Sequence, residues 1–116
     1  MSEINVTAVL SPKPEKFEEF KYLIYRVVLQ VATLITEVVK QVQEHEPDTL
    51  LYYAFQIKDK NEIVIVERYK DQSAIQTHVK SPYFRSFAGK LSTLLVKPSE
   101  IRAGGFLSGS RGVSRL

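Results

Sequence analysis

Glu67, Tyr69 and His78 bring a carboxylate, a phenol and an imidazole together in one short stretch. They open the segment Glu67–Phe87, ERYKDQSAIQTHVKSPYFRSF, where ionisable, aromatic and hydroxyl side chains are denser than anywhere else in the chain. An imidazole titrates close to neutral pH, so His78 is the residue best suited to take a proton from a weakly acidic substrate. The competing role is structural, a hydrogen bond to a backbone carbonyl or to Glu67 at a helix–sheet junction. Glu67 alternates onto the same strand face as Ile63, Ile65 and Tyr69, and a carboxylate in an apolar row needs a partner. His78 is the expected partner, oriented by Glu67 and made more basic by it; a carboxylate satisfied elsewhere is the alternative. Tyr52 and Tyr69 could donate to a phenol or enol oxygen of a substrate, although buried tyrosines also serve as core with the hydroxyl satisfied. Tyr83, Phe84 and Phe87 form either an aromatic pocket wall or plain core.

The elements that must position these groups are legible in the pattern. Residues 4–10, INVTAVL, are short and β-branched and run into Ser-Pro-Lys-Pro, which predicts a strand and a turn. Apolar residues then recur at spacings of three and four from Phe17 to Val42, a helical stripe that Pro47 ends. This predicts one helix of about 30 residues, or two collinear ones. Pro14 and the acids Glu15, Glu18 and Glu19 suit its first turn. Tyr22, Tyr25 and Leu29 lie opposite the main stripe, so a second surface is expected to cover that part. Residues 50–57 and 63–69 predict a hairpin about Asp59-Lys60-Asn61, with Tyr52, Ala54 and Leu50 facing one way and Leu51, Tyr53, Phe55 and Ile57 the other. Both faces are apolar, so the sheet needs helices on one side and a second subunit on the other. Asp71 is placed to cap a helix over 72–80. Ser81-Pro82 breaks it and starts another over roughly 83–95, and residues 100–107 predict a last strand. Strand, long helix, two strands, helix and strand make the split βαβ, ferredoxin-like order, an α+β fold with a four-stranded antiparallel sheet. The domain is expected over 1–107, and the Gly/Ser-rich segment 108–116 as a flexible tail.

Composition removes several functions. The chain has no Cys and only His45 and His78 as histidines, so disulfides, thiolate metal sites, Cys nucleophiles and a His-rich metal site are excluded. The net charge of +3 comes from bases interspersed with acids, which is a solvated surface and not a nucleic-acid stripe. No run reaches the roughly 18 uncharged apolar residues of a membrane span. Residues 1–12 lack a basic region followed by an apolar run, so no secretory leader is expected. No dinucleotide or P-loop pattern occurs, and Gly104-Gly105 alone is too little for a phosphate loop.

Glu46-Pro47 before a strand bearing Tyr52, then Glu67-Arg68-Tyr69-Lys70-Asp71, then Ala74, His78, Ser81 and Phe84, form the pattern E-x-[WY]-x-D-x-x-A-x-x-x-H-x-x-S-x-x-F. With the topology, this resembles the antibiotic biosynthesis monooxygenase superfamily of dimeric α+β barrels, over nearly the whole chain from Asn5 to Phe106. Two features depart from that family. The first helix is longer by about eleven residues, close to three turns at about 3.6 per turn, so its apolar face keeps its phase. Haem-degrading relatives carry a Trp where this chain has Tyr69 and a haem-ligating His near Ala88, and both are missing here, which argues against haem.

The resemblance implies a homodimer and a small aromatic or polyketide-like substrate in secondary metabolism, oxygenated without flavin, haem or metal. His78 would be the base and Glu67 its orienting partner. Tyr52, Tyr69 and Asn5 would be the donors, Asn5 because it matches a polar first-strand position that contacts ligand in some relatives. An exposed polar residue is the alternative for Asn5. The same barrel resembles polyketide cyclases, dehydratases and isomerases, and a non-catalytic binding protein is a third reading, because fold does not decide among them. The location expected is cytoplasmic, or peroxisomal in a eukaryote, where Ser114-Arg115-Leu116 resembles the Ser-Lys-Leu address.

Overall fold

β1 (Ile4–Leu10) orders the sheet, because it pairs antiparallel with two neighbours. One is β3 (Glu62–Tyr69) and the other is β4 (Glu100–Gly104). β2 (Thr49–Ile57) pairs with the free side of β3, so the strand order is β2-β3-β1-β4. The helices are α1 (Arg26–His45), between β1 and β2, and α2 (Gln72–Lys80) and α3 (Pro82–Ser92), between β3 and β4. This is the expected ferredoxin-like α+β arrangement, with its second helix divided at Ser81. The computed structural model describes residues 3–14 and 26–115. The predicted helical start at Pro14–Tyr25, with Tyr22 and Tyr25, and the terminal Leu116 lie outside those residues, save Pro14, which is in no regular element.

Strand alternation divides the side chains between two faces. The rung Tyr52–Glu67–Val6–Ala103 and the rung Ala54–Ile65–Ala8–Ile101 face the helices. There they meet α1 through Val28, Val31, Ile35, Val38 and Val42, whose spacing of three and four makes one buried stripe. Phe87 and Leu91 of α3 close the same core. The opposite face carries Val9, Val64, Val66, Tyr53 and Phe55, and leaves Tyr53 and Phe55 46% and 47% exposed. Leu29 on α1 is exposed as well.

Two local departures from the predicted pattern have physical causes. A bulge between Thr49 and Leu51 takes Leu50 out of register, so it is exposed and does not join Tyr52 and Ala54 on the helix side. The last strand ends at Gly104, three residues short of the predicted 107. Beyond it, Phe106 lies between the Arg68 and Arg111 guanidinium groups, 4.9 and 4.7 Å from its ring centre. Arg111 then pairs with Glu3 at 2.6 Å.

Three connections fix the elements around the site. Asp71 caps α2, its Oδ1 accepting from the Ala74 amide at 2.9 Å. Ser81 caps α3 by accepting from the Phe84 amide, and its hydroxyl donates to the His78 carbonyl at 2.7 Å. The Pro47-Asp48 turn after α1 is tied to the end of β3, the Lys70 amide donating to the Asp48 carbonyl at 2.9 Å. That tie brings Glu46, the residue just past α1, against α2.

Candidate active site

His78 lies on the buried side of α2 and is 2% exposed. Its Nδ1 is 3.1 and 3.0 Å from the two carboxylate oxygens of Glu46, itself 5% exposed. Thr49 Oγ1 donates to Oε1 of the same carboxylate at 2.7 Å, and the Tyr83 hydroxyl donates to Oε2. Thr49 and Tyr83 both donate to Glu46, and with Glu46 accepting from the imidazole as well, His78 carries its proton on Nδ1. The other nitrogen of a neutral His78 is then a lone-pair acceptor. Nε2 is buried and has no hydrogen-bond partner among the described residues.

His78 borders a cavity of about 750 Å³ between the β3-β1-β4 part of the sheet and α2 and α3. That size suits a small organic ligand. The buried polar lining gathers around the imidazole, where the rings of Phe84, Tyr52 and Tyr69 are centred 4.6, 5.3 and 5.7 Å away. Glu67, 8% exposed, accepts a hydrogen bond from the Tyr69 hydroxyl. Burial pushes the Glu67 carboxyl above the ordinary range, against the lowering effects of Tyr69 and His78. Burial also raises the Tyr52 and Tyr69 phenols far above theirs, with the nearby Glu67 adding to it, so both hydroxyls stay protonated donors. The Tyr83 hydroxyl is pushed up to about 12 by burial and then by its bond to Glu46. The Tyr52 hydroxyl makes no hydrogen bond among the described residues. Away from this end the walls are mostly apolar, with Val6, Ala8, Phe87 and Leu91 prominent and Ser92, Lys97 and Ser99 among them.

The structure therefore gathers His78, Glu67, Tyr69, Tyr52, Phe84 and Phe87 at one cavity. Tyr83 is not in the lining; it is bonded to Glu46 and stacked with His45 at 6.1 Å. Asn5 is on the opposite sheet face, because Val6 and Ala8 face the helices and alternate residues of β1 point away. Its Oδ1 accepts from Arg68 Nε at 3.1 Å. The expected pairing of His78 with Glu67 is replaced by pairing with Glu46, while Glu67 is held by its own strand neighbour Tyr69. Sequence reasoning placed Glu46 only as part of the Glu46-Pro47 motif before the strand bearing Tyr52. A usable signal was present: an acid at a helix C-terminus, against the dipole's preference, suggests a specific partner.

The model of the antibiotic biosynthesis monooxygenase family matches residues 4–90. The chain belongs to this family. An uncharacterised protein of Synechocystis sp. is 26% identical over 100 residues, covering 85% of this chain and 60% of that protein, so the chain spans well under the relative's full length. The solved structure of Rv0793 from Mycobacterium tuberculosis is 19% identical, with a TM-score of 0.77 over 94% of this chain and 99% of that one. A Caulobacter crescentus structure, provisionally assigned as an antibiotic biosynthesis monooxygenase, is 17% identical, with a TM-score of 0.77 over 92% of each chain. Both likenesses establish the fold. Among the described residues no helix is long and apolar enough to cross a membrane.

Proposed function

We propose that this chain is a monooxygenase of an aromatic or polyketide-like small molecule in secondary metabolism, working without a cofactor as a homodimer. The observation that carries the reading is the Glu46–His78 pair at the wall of a mostly apolar cavity, with Nε2 of His78 buried and without a hydrogen-bond partner among the described residues. Family membership supports oxygen chemistry, and the site supplies what a substrate-driven reaction requires. His78 Nε2 takes a proton from an acidic phenol or from a CH₂ flanked by a carbonyl. Glu46 holds Nδ1–H and stabilises the imidazolium. The anion left behind is stabilised by the protonated Tyr52 hydroxyl, while the Tyr69 proton is held by Glu67. It is electron-rich enough to pass one electron to dioxygen, and the resulting radical pair joins to form a C–O bond and a peroxide. Protonation of the peroxide and loss of water from R₂CH–OOH leave R₂C=O, so one oxygen atom enters product and the other enters water. The apolar walls exclude bulk water from these intermediates.

The exposed Tyr53 and Phe55 on the uncovered sheet face support a second copy packing there. A cyclase, dehydratase or isomerase needs the same base and donors without oxygen. Incubation of the purified protein with an anthrone or a hydroquinone under ¹⁸O₂ separates the two. One ¹⁸O atom per product molecule is the expected result. Product formed at the same rate without oxygen would assign the cavity to dehydration or cyclisation.

A further inference from the structure

We infer that the cavity is built for a phenol or enol that carries an unfunctionalised apolar tail, with the hydroxyl end at His78 and the tail leaving across β4. The inference rests on the cavity being the substrate site, as proposed above, but not on the oxygen chemistry.

Its first support is that the buried polar side chains of the lining sit at one end, while the other polar lining residues, Gln72, Ser92, Lys97 and Ser99, are exposed or half-buried. Tyr52, Glu67, Tyr69 and His78 are neighbours across β2, β3 and α2. The rung Glu67–Val6–Ala103 leads away from them toward the sheet edge over two strand spacings, about 10 Å, and past Glu67 it offers only aliphatic side chains. A molecule with oxygen atoms all round its perimeter would strand some of them on that wall, and each unpartnered polar atom weakens binding.

The second support is the mouth. Val79 of α2, Val96 after α3 and Ile101 of β4 line the cavity, yet are 38%, 62% and 58% exposed. Ile101 pairs in register with Ala8 and faces the helix side, but β4 is exposed along all its residues, so that end of the cavity opens to solvent. The backbone around it is held in place. The Val96 amide donates to the Ser11 carbonyl and the Lys13 amide to the Leu94 carbonyl, both at 2.8 Å. Three separate elements therefore present aliphatic side chains at one rim, continuous with the cavity wall, which is the surface an alkyl or prenyl chain would cover.

The third support is charge. Apart from His78, Lys97 is the one cation among the described lining residues, and it is bound to Glu100 at 2.9 Å. The mouth therefore has no free cation for a carboxylated or phosphorylated tail.

The test is anaerobic equilibrium binding to the full chain of a 4-alkylphenol series, from methyl to octyl. A 4-octylphenol whose tail ends in a carboxylate and a trihydroxylated ring serve as comparisons. Affinity is expected to rise about three- to fourfold per buried methylene until the tail reaches solvent. The carboxylated tail is expected to show less gain, and the trihydroxylated ring to bind no better than the monophenol. Ile101→Glu and Val96→Glu, both at exposed positions, should weaken the octyl ligand about tenfold and leave methylphenol unchanged. Affinity independent of tail length, or tighter binding of the trihydroxylated ring, would overturn the inference. So would an Ile101→Glu protein that splits into smaller species in sedimentation while keeping the full tail dependence, because the rim would then be a contact between copies. Failure of ¹⁸O incorporation with tail dependence intact would remove the oxygenation reading alone.

Discussion

Glu46 holds His78 by Nδ1, both carboxylate oxygens lying within 3.1 Å of that nitrogen, although 32 residues separate the two in sequence. The pair joins the end of α1 to the buried side of α2, and two further donors, Thr49 and Tyr83, pin the carboxylate. Its geometry leaves the other imidazole nitrogen, Nε2, buried and without a hydrogen-bond partner among the described residues.

His78→Ala is expected to lower turnover of a phenolic substrate by about 10²- to 10⁴-fold, the usual contribution of a general base, and leave the oligomeric state unchanged. Glu46→Gln is expected to lower it about tenfold or more, because the amide can present either a donor or an acceptor to Nδ1 and no longer sets the tautomer. Since both act through one group, the double variant should be no slower than His78→Ala. Additive losses in single-turnover kinetics would show that Glu46 acts independently. Glu46→Ala should also cost about 1–3 kcal/mol of unfolding free energy in urea titration, by leaving buried donors unpaired.

Glu67 makes a pH-dependent contribution of defined sign. Its folded-state carboxyl lies above the ordinary value of 4.5 because of burial, so the folded protein binds the proton more tightly than the unfolded chain does. The associated stability is fully present below 4.5 and is lost as pH rises through the raised folded value. Glu67→Gln should therefore flatten the stability profile across that window, as measured by urea midpoints at successive pH values. A wild-type profile that rises with pH there, and loses that rise in Glu67→Gln, would contradict the assignment. Tyr69→Phe removes the hydrogen bond that opposes the shift, so it should steepen the fall.

Phe55 is 47% exposed on the sheet face away from the helices. Phe55→Glu places a charge at the centre of the proposed contact between copies. Sedimentation equilibrium should then report a monomer where the unaltered chain reports a dimer, with secondary structure by circular dichroism retained. A dimer that survives the change places the contact elsewhere.

Two turn positions should show local stability costs. Asp71→Ala removes the α2 cap bond to the Ala74 amide and is expected to cost about 1 kcal/mol. Asn61 has φ 50°, and its side-chain amide donates to the Pro12 carbonyl at 2.9 Å. Asn61→Ala loses that bond and leaves a β-carbon in the left-handed region, so it should cost more than Asn61→Gly, which relieves the backbone. Equal midpoints for the two variants in thermal melts would show that the side-chain bond dominates.

The sequence by itself determined the element order, the ferredoxin-like fold and the residues that share a buried face. Strand alternation and three-four helical spacing follow from backbone geometry, so Glu67 with Tyr69, and Val28 with Val31 and Ile35, are assigned locally. The Asp71 and Ser81 caps are equally local, because a cap bonds an amide within three residues. The tertiary structure decided which carboxylate meets His78. Glu67 is the nearer acid in sequence, but it bonds Tyr69, two residues along its own strand. The Pro47-Asp48 turn, tied to the end of β3, brings Glu46 against α2 instead. It also decided that Asn5 faces away from the cavity and that Tyr83 supports the carboxylate. Short-range periodicity orders residues along one element. The pairing of polar groups across elements depends on how turns and sheet register bring those elements together.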